Sequence, residues 1–339
     1  MFKGYYPNKK IRNKTTAIIA AVVIIITAAV NVYSDYERFV RARQAVLMTN
    51  GLFSAHFIDV GQADATLLRS PDGEFMLIDC GDSDSAEYLI KYLEYIGVDS
   101  LEYLLITHPH EDHYGGAERV IDSYPVENFI IGDGFEDTYP FDKYIDMLEE
   151  NSFDEQTKII QAEINDRFDF ADCADFMIIS PKQADYENLN ESSLGLKLVF
   201  GNTSFLFTGD AEKSSEKAML SAGYDLRADV FQVGHHGSST SNTRSFVEAV
   251  NPVYAVISCE KDNEYGHPHK EALENLESVG AQILRTDTIS DIVITSDGTT
   301  VRYEEYFGVE NEEETAPQDK KSQNMILEYI KSLVKRFAA

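Results

Sequence analysis

His108, His110, Asp112 and His113 fall within the six residues His108-Pro109-His110-Glu111-Asp112-His113, a density of ligand side chains that suits divalent-metal chemistry. Side chains alternate along an extended segment, so His108 and His110 share one side and can grip one ion. Asp112 and His113, where the chain turns, can face a second. A single histidine on a loop is ordinarily a surface residue, but four ligand side chains at this spacing behind an apolar strand outweigh that reading. His235, His236, His267 and His269 lie in later polar clusters. Of the eight histidines only His56 falls outside these motifs, in an apolar strand where packing is its expected role.

These side chains need elements to carry them. Residues 101–106 read as a buried strand and 114–121 as a turn entering a helix, so the dense cluster sits on a strand-to-helix loop. Residues 197–207 read as a hairpin with Gly201-Asn202 at its turn, delivering Asp210 just past the second strand. Alone, Asp210 reads as a helix cap; beside the other clusters it reads as a carboxylate bridging two cations. A strand over 229–233 ends in His235-His236-Gly237-Ser238. A strand over 254–259 and a polar loop lead to His267, a candidate to contact or protonate a leaving group, while His269 can cap the following helix. Short strands over 54–58, 65–69 and 75–79 precede a helix over 85–96. Asp59 and Asp64 flank Gly61 in a tight loop and Asp79 ends the next strand, positions that turn chemistry also favours. Early strands followed by strand–helix alternation suit a layered α/β protein. Residues 133–170, with a helix over 141–150, carry no motif and read as a variable insertion.

His-x-His-x-Asp-His resembles the signature of the metallo-β-lactamase superfamily. Phe57-Ile58-Asp59-Val60-Gly61-Gln62-Ala63-Asp64-Ala65, Leu77-Ile78-Asp79-Cys80-Gly81, Phe207-Thr208-Gly209-Asp210, Val233-Gly234-His235-His236-Gly237-Ser238 and Tyr265-Gly266-His267-Pro268-His269 follow the pattern of the metallo-hydrolase domain of ComEC-type competence proteins, across residues 52–305. The resemblance implies a four-layer αββα sandwich with two metal ions at one edge between the sheets. It implies a ligand set of His108, His110, Asp112, His113, Asp210 and His235 or His236, the choice within that pair left open. It places Asp79 behind a ligand histidine, with Asp59, Asp64, Asn190 and Ser193 around the site. Ala63 departs from the usual glycine. No histidine occurs between His113 and His235, where many lactamases carry a third histidine for their first metal; Asn190-Glu191-Ser192-Ser193 stands there, as in ComEC-like sequences. The His108–His110 metal site is then more open and weaker, suited to manganese as much as zinc, and antibiotic hydrolysis is disfavoured as the task.

The 339 residues bring enough apolar content, 43%, for a large core. Cys80, Cys173 and Cys259 sit in or beside apolar runs and read as free thiols. Residues 1–14 are basic without an acid, and residues 15–33 open with about 18 uncharged, mostly apolar positions, near the length that crosses a bilayer. They predict an uncleaved anchor with the N-terminus in the cytoplasm and the rest outside, secretion after cleavage being the alternative. Residues 34–51 read as a stalk, 52–305 as the catalytic domain, 306–319 as an acidic linker, and 320–339 as a basic amphipathic helix suited to an anionic membrane or to protein docking.

Metal-assisted hydrolysis is the chemistry these residues point to, with Asp112, His236 and His267 closest to the reaction and a phosphodiester as the expected substrate. A carboxylester or lactam hydrolase, and a non-catalytic metal-binding component of a DNA-uptake or envelope assembly, are the alternatives. The net charge of −29 repels long polyanions, which turns the expectation toward short or single-stranded nucleic acid or small phosphodiesters.

Overall fold

The computed structural model describes residues 49–132, 157–181 and 187–303, with the isolated positions Ile24 and Thr27. The chain divides into two units, Met1–Glu304 and Glu305–Ala339. The stalk but for its last residues, the helix over 141–150, the acidic linker and the C-terminal helix lie outside the described residues, as does the anchor apart from those two positions. Among the described residues no helix is long and apolar enough to cross a membrane.

From Phe53 onward come strands β1 (Phe53–Phe57), β2 (Thr66–Arg69) and β3 (Phe75–Ile78), helix α1 (Ala86–Ile96) and strand β4 (Leu101–Ile106). Helices α2 (Glu111–Tyr114) and α3 (Ala117–Ser123) and strands β5 (Val126–Ile131), β6 (Lys158–Gln161), β7 (Arg167–Phe170), β8 (Ala174–Ser180), β9 (Gly195–Phe200) and β10 (Thr203–Phe207) follow. The rest is α4 (Lys213–Ala222), β11 (Val230–Gln232), α5 (Arg244–Val250), β12 (Tyr254–Ile257), α6 (Lys270–Ser278), β13 (Gln282–Arg285), α7 (Thr286–Ile289), β14 (Ile292–Ser296) and β15 (Val301–Tyr303). Among the described residues these strands form one sheet in the order β15-β14-β1-β2-β3-β4-β5-β6 and another in the order β13-β12-β11-β10-β9-β8-β7.

Strand alternation explains the layers. Met76 and Ile78 face the second sheet, where they meet Phe176, Leu196, Leu198, Phe205 and Phe207, while Leu77 turns the other way onto Leu89, Leu93 and Val120. Phe205 and Phe207 point inward while Leu206 packs with Met219, Phe246, Val247 and Leu276 of the outer helices. Strands buried on both faces read as continuous apolar runs, as Phe75-Met76-Leu77-Ile78 does. The result is helices, sheet, sheet, helices, the sandwich expected from the sequence.

The stretch expected as an insertion, 133–170, contains structure that belongs to the sandwich. Its end supplies β6, parallel to β5 at one edge of the first sheet, and β7, antiparallel to β8 at one edge of the second. Edge strands have one paired side and tolerate polar side chains, so β6 is largely exposed and β7 buries only its two phenylalanines, each strand being just four residues long.

Candidate metal centre

Two sets of parallel strands bring the polar loops together. β3 pairs parallel with β4, and β10, β11 and β12 pair parallel with one another, so their C-terminal ends lie side by side in each sheet. From those ends come Asp79, the 107–113 loop, Asp210, the 234–238 turn and, after a longer loop, His267. The β1–β2 loop, turned by Gly61 at φ +82°, adds Asp64.

Backbone hydrogen bonds stitch these loops directly. Cys80 N–H donates to the His113 carbonyl at 2.7 Å, Asp64 N–H to the Asp112 carbonyl at 3.1 Å, and Leu194 N–H to the Thr107 carbonyl at 2.8 Å. His235 N–H donates to the Gly209 carbonyl at 3.1 Å. Gly209 sits at φ +50°, and a Cβ there would lie 2.8 Å from Thr107 Oγ1, so a glycine is required just before Asp210.

Asp79 is the hub behind the histidines. Its buried carboxylate accepts from Thr107 N–H and Thr107 Oγ1, both at 2.8 Å, and from His113 Nδ1 at 2.8 Å. With the proton on Nδ1, His113 presents a bare Nε2. Thr107 Oγ1, its own proton committed to Asp79, can accept from His108 Nδ1 at 3.2 Å, which leaves His108 Nε2 bare as well. His236 donates through Nδ1 to the Ser258 carbonyl at 3.0 Å. Fixing one ring nitrogen so that the other is free is the arrangement that metal-ligating histidines need.

The remaining ring and carboxylate atoms converge. Asp112, His113, Asp210 and His236 form one group able to hold a metal ion, and His108, His110 and Asp210 another, so Asp210 belongs to both. His113 Nε2 lies 3.3 Å from Asp210 Oδ1, His108 Nε2 lies 3.0 Å from His110 Nδ1, and His236 Nε2 lies 3.2 Å from Asp112 Oδ2. His113 Nε2 and Asp210 Oδ1 are both buried and make no hydrogen bond. Leaving a buried donor or acceptor unmade costs on the order of 1–3 kcal/mol, and divalent cations would satisfy this imidazole and carboxylate donor set. The residues present therefore fit metal ions.

Charge follows the same geometry. Burial alone lowers the His236 pKa, but Asp210 and the hydrogen bond to Asp112 raise it to about 9. Burial opposes the charge on His113 too, yet Asp210 and Asp79 raise its pKa well above the ordinary value. Burial works against ionisation of Asp112, and the His236 hydrogen bond with the His113 charge overcomes it, holding its carboxyl below the usual range. Burial and the neighbouring His236 and His235 lower His267 to about 4. No lysine or arginine is a hydrogen-bond or ion-pair partner of the clustered histidines and aspartates among the described residues.

The two rings of the histidine pair make different contacts. His236 falls in a metal-capable group, whereas His235 places Nε2 3.5 Å from Asp210 Oδ2 and Nδ1 3.2 Å from Thr240 Oγ1. Both residues sit at φ +52°, a left-handed conformation that costs a non-glycine residue about 1–3 kcal/mol and clusters at functional sites. Asn242 holds this turn, accepting from Gly234 N–H at 3.0 Å and donating to the Gly234 carbonyl at 2.8 Å. Glu216 in turn accepts from the backbone N–H groups of Asn242 and Thr243.

Ser193 Oγ accepts from Asp210 N–H at 3.1 Å, so the segment standing where a third histidine was missing supports the shared aspartate. The side-chain oxygen of Asn190 is buried without a hydrogen bond. Asp64 Oδ1 approaches His236 Nδ1 at 3.9 Å, and Asp64 forms a further group with Asp79 and His113. Asp59 is in none of these groups; its N–H donates to Asp291. His267 lies with its ring centre 5.6 Å from that of His235 and 6.2 Å from that of His236. His269 occupies the N-cap position of α6 without a side-chain cap; its Nδ1 accepts from Ser239 N–H at 2.9 Å. His56 is buried between Ser54 and Tyr92, as its apolar strand suggested. Sequence reasoning assigned no role to Thr107, Asn242, Glu216 or Gln62. Thr107 stands directly ahead of the histidine cluster and Gln62 within the 57–65 motif, the two signals that could have found them.

The family model for the metallo-beta-lactamase superfamily matches residues 58–260. The chain is 32% identical over 247 residues to ComE operon protein 3 of Bacillus subtilis (strain 168), covering 68% of this chain and 31% of that protein. It is 29% identical over 231 residues to Competence protein ComA of Neisseria gonorrhoeae, covering 68% of this chain and 30% of that one. It is 30% identical over 224 residues to Recombination protein 2 of Haemophilus influenzae, covering 65% of this chain and 26% of that one. The chain thus spans under a third of the length of these relatives.

Proposed function

The chain belongs to the metallo-β-lactamase superfamily, and on that premise we propose that it is a membrane-tethered, extracellular, metal-dependent phosphodiesterase. The observation that carries the reading is Asp210, one buried carboxylate common to two metal-capable groups. His108, His110 and Asp210 would hold one divalent ion; Asp112, His113, Asp210 and His236 would hold the other. Zinc or manganese bound there supplies Lewis acidity toward a phosphoryl oxygen and activation of water at neutral pH. The chain's own residues do the positioning. Asp79 and Thr107 fix the rings of His113 and His108, Ser258 fixes that of His236, and Asp112 stays ionised beside it. His267, next to the His235–His236 pair, is placed to meet a substrate oxygen.

The substrate argument rests on charge. Among the described residues no lysine or arginine pairs with the clustered aspartates, and the chain as a whole carries −29. Long duplex DNA is repelled by such a surface, so short or single-stranded ends and small phosphodiesters are the favoured substrates. The relatives named for competence support a phosphodiester over a lactam. The uncharged run in residues 15–33 behind a basic flank supports tethering outside the cell.

The test compares rates on a small chromogenic phosphodiester, a short single strand and a long duplex across a salt series with manganese or zinc. Carboxylester and lactam substrates run alongside. The reading predicts metal-dependent cleavage of the first two and slow cleavage of duplex. Activity confined to lactams or carboxylesters overturns it, and fast duplex cleavage that weakens steeply with salt overturns the substrate preference. Protease added to intact cells removes the domain if it is tethered outside.

A further inference from the structure

Gln62 lies in the β1–β2 loop, 205 residues from His267, yet their side chains meet: Gln62 Nε2 is 3.2 Å from His267 Nδ1. The other end of the amide is committed. Gln62 Oε1 accepts from Glu260 N–H at 3.1 Å. A backbone N–H can only donate, so turning the amide over would set two N–H groups against each other and lose the Glu260 bond. The amide therefore presents its NH₂ to the histidine.

A donor at Nδ1 requires a lone pair there. Nδ1 of His267 then carries no proton, the ring is neutral, and its proton sits on Nε2. We propose that Gln62 is a positioning residue that fixes His267 as the neutral Nε2–H tautomer, a hydrogen-bond donor facing substrate and not a proton acceptor.

The rest of the loop is built to hold that ring still. Asn263 clamps the His267 backbone from both sides, donating to its carbonyl at 2.7 Å and accepting from its N–H at 2.9 Å. Tyr265 stacks on the imidazole with centroids 5.6 Å apart and planes 21° apart, and His269 packs edge-on at 4.8 Å. With Nδ1 occupied, Nε2 is the ring nitrogen available to a ligand. The group it would recognise is an acceptor oxygen, such as a phosphoryl or leaving-group oxygen. That consequence rests on the hydrolase reading; the tautomer does not.

The experiment is ring-nitrogen NMR on the full-length protein labelled with ¹⁵N-histidine, zinc-loaded at neutral pH, with His267→Gln identifying the His267 signals. The wild type should show a protonated Nε2 and a bare Nδ1. Gln62→Glu keeps an acceptor for Glu260 N–H but offers no donor, so the proton should move to Nδ1 or the ring become doubly protonated. Gln62→Leu, a second variant in case the first does not fold, should give a mixture of tautomers. A wild-type ring protonated on Nδ1, or a tautomer unchanged by the variant that folds, overturns the proposal. On a phosphodiester, Gln62→Glu should lower kcat on the order of tenfold, the worth of one hydrogen bond, with KM and metal content unchanged. If no phosphodiester is cleaved while the NMR result holds, the phosphodiesterase reading fails and the tautomer assignment stands.

Discussion

The two halves of the metal centre are built in different ways. The 107–113 half is local: its histidines follow β4 within a few residues, and Asp79 at the end of the adjacent parallel strand orients them through Thr107 and His113. The His235–His236 half is assembled from afar. Its ligand geometry depends on two left-handed residues, on Asn242 gripping Gly234, and on Glu216 gripping the backbone around Asn242. A local half is fixed by strand pairing, whereas an assembled half carries backbone strain that distant polar contacts must offset.

That comparison is broken most sharply at Asn242. It is fully buried with its amide bonded to the Gly234 backbone, so Asn242→Ala should cost on the order of 2–3 kcal/mol in denaturant unfolding. It should also weaken the ion near His236 while the His108–His110 site keeps its affinity. Equal weakening of both sites would mean that the halves are not separately supported. On the local side, Asp79→Asn exchanges a carboxylate for an amide behind His113. Metal affinity should fall roughly 10–100-fold, read by competition with a chromogenic chelator.

The smallest effect is a pH slope. Burial pushes the Glu216 carboxyl up to about 7 from 4.5 against the hydrogen bonds it accepts. A raised carboxyl pKa contributes stability that is full below about 4.5 and is lost as pH rises through about 7. Glu216→Gln should remove that contribution, so the difference in Tm between wild type and variant should shrink as pH rises from 4.5 to 7. A constant difference across that range would show that Glu216 does not titrate there.

The same contrast explains what the sequence made legible. Crowded ligands behind an apolar strand announce the local half, and strands buried on both faces announce the sandwich. The hairpin turning at Gly201 places Asp210 where expected, because turn and alternation are both local signals. The different contacts of His235 and His236 were not legible, since they depend on φ +52° at both residues and on a carbonyl from Ser258. Asn242 and Glu216 gave no signal, and the role of Gln62 inside its motif was hidden, because their partners lie far away in sequence or are backbone groups. β6 and β7 were read as part of an insertion because each is a four-residue edge strand with polar residues among its exposed positions, too short to stand out.

Metal content tests the central claim, that Asp210 is shared by two ion sites, most directly. Purified wild type, Asp210→Asn and His108→Ala are loaded with zinc or manganese, desalted and measured for bound metal per chain. The account predicts up to two ions in the wild type, loss at both sites in Asp210→Asn, and loss mainly at the weaker site in His108→Ala. Wild-type stoichiometry retained in Asp210→Asn would contradict it.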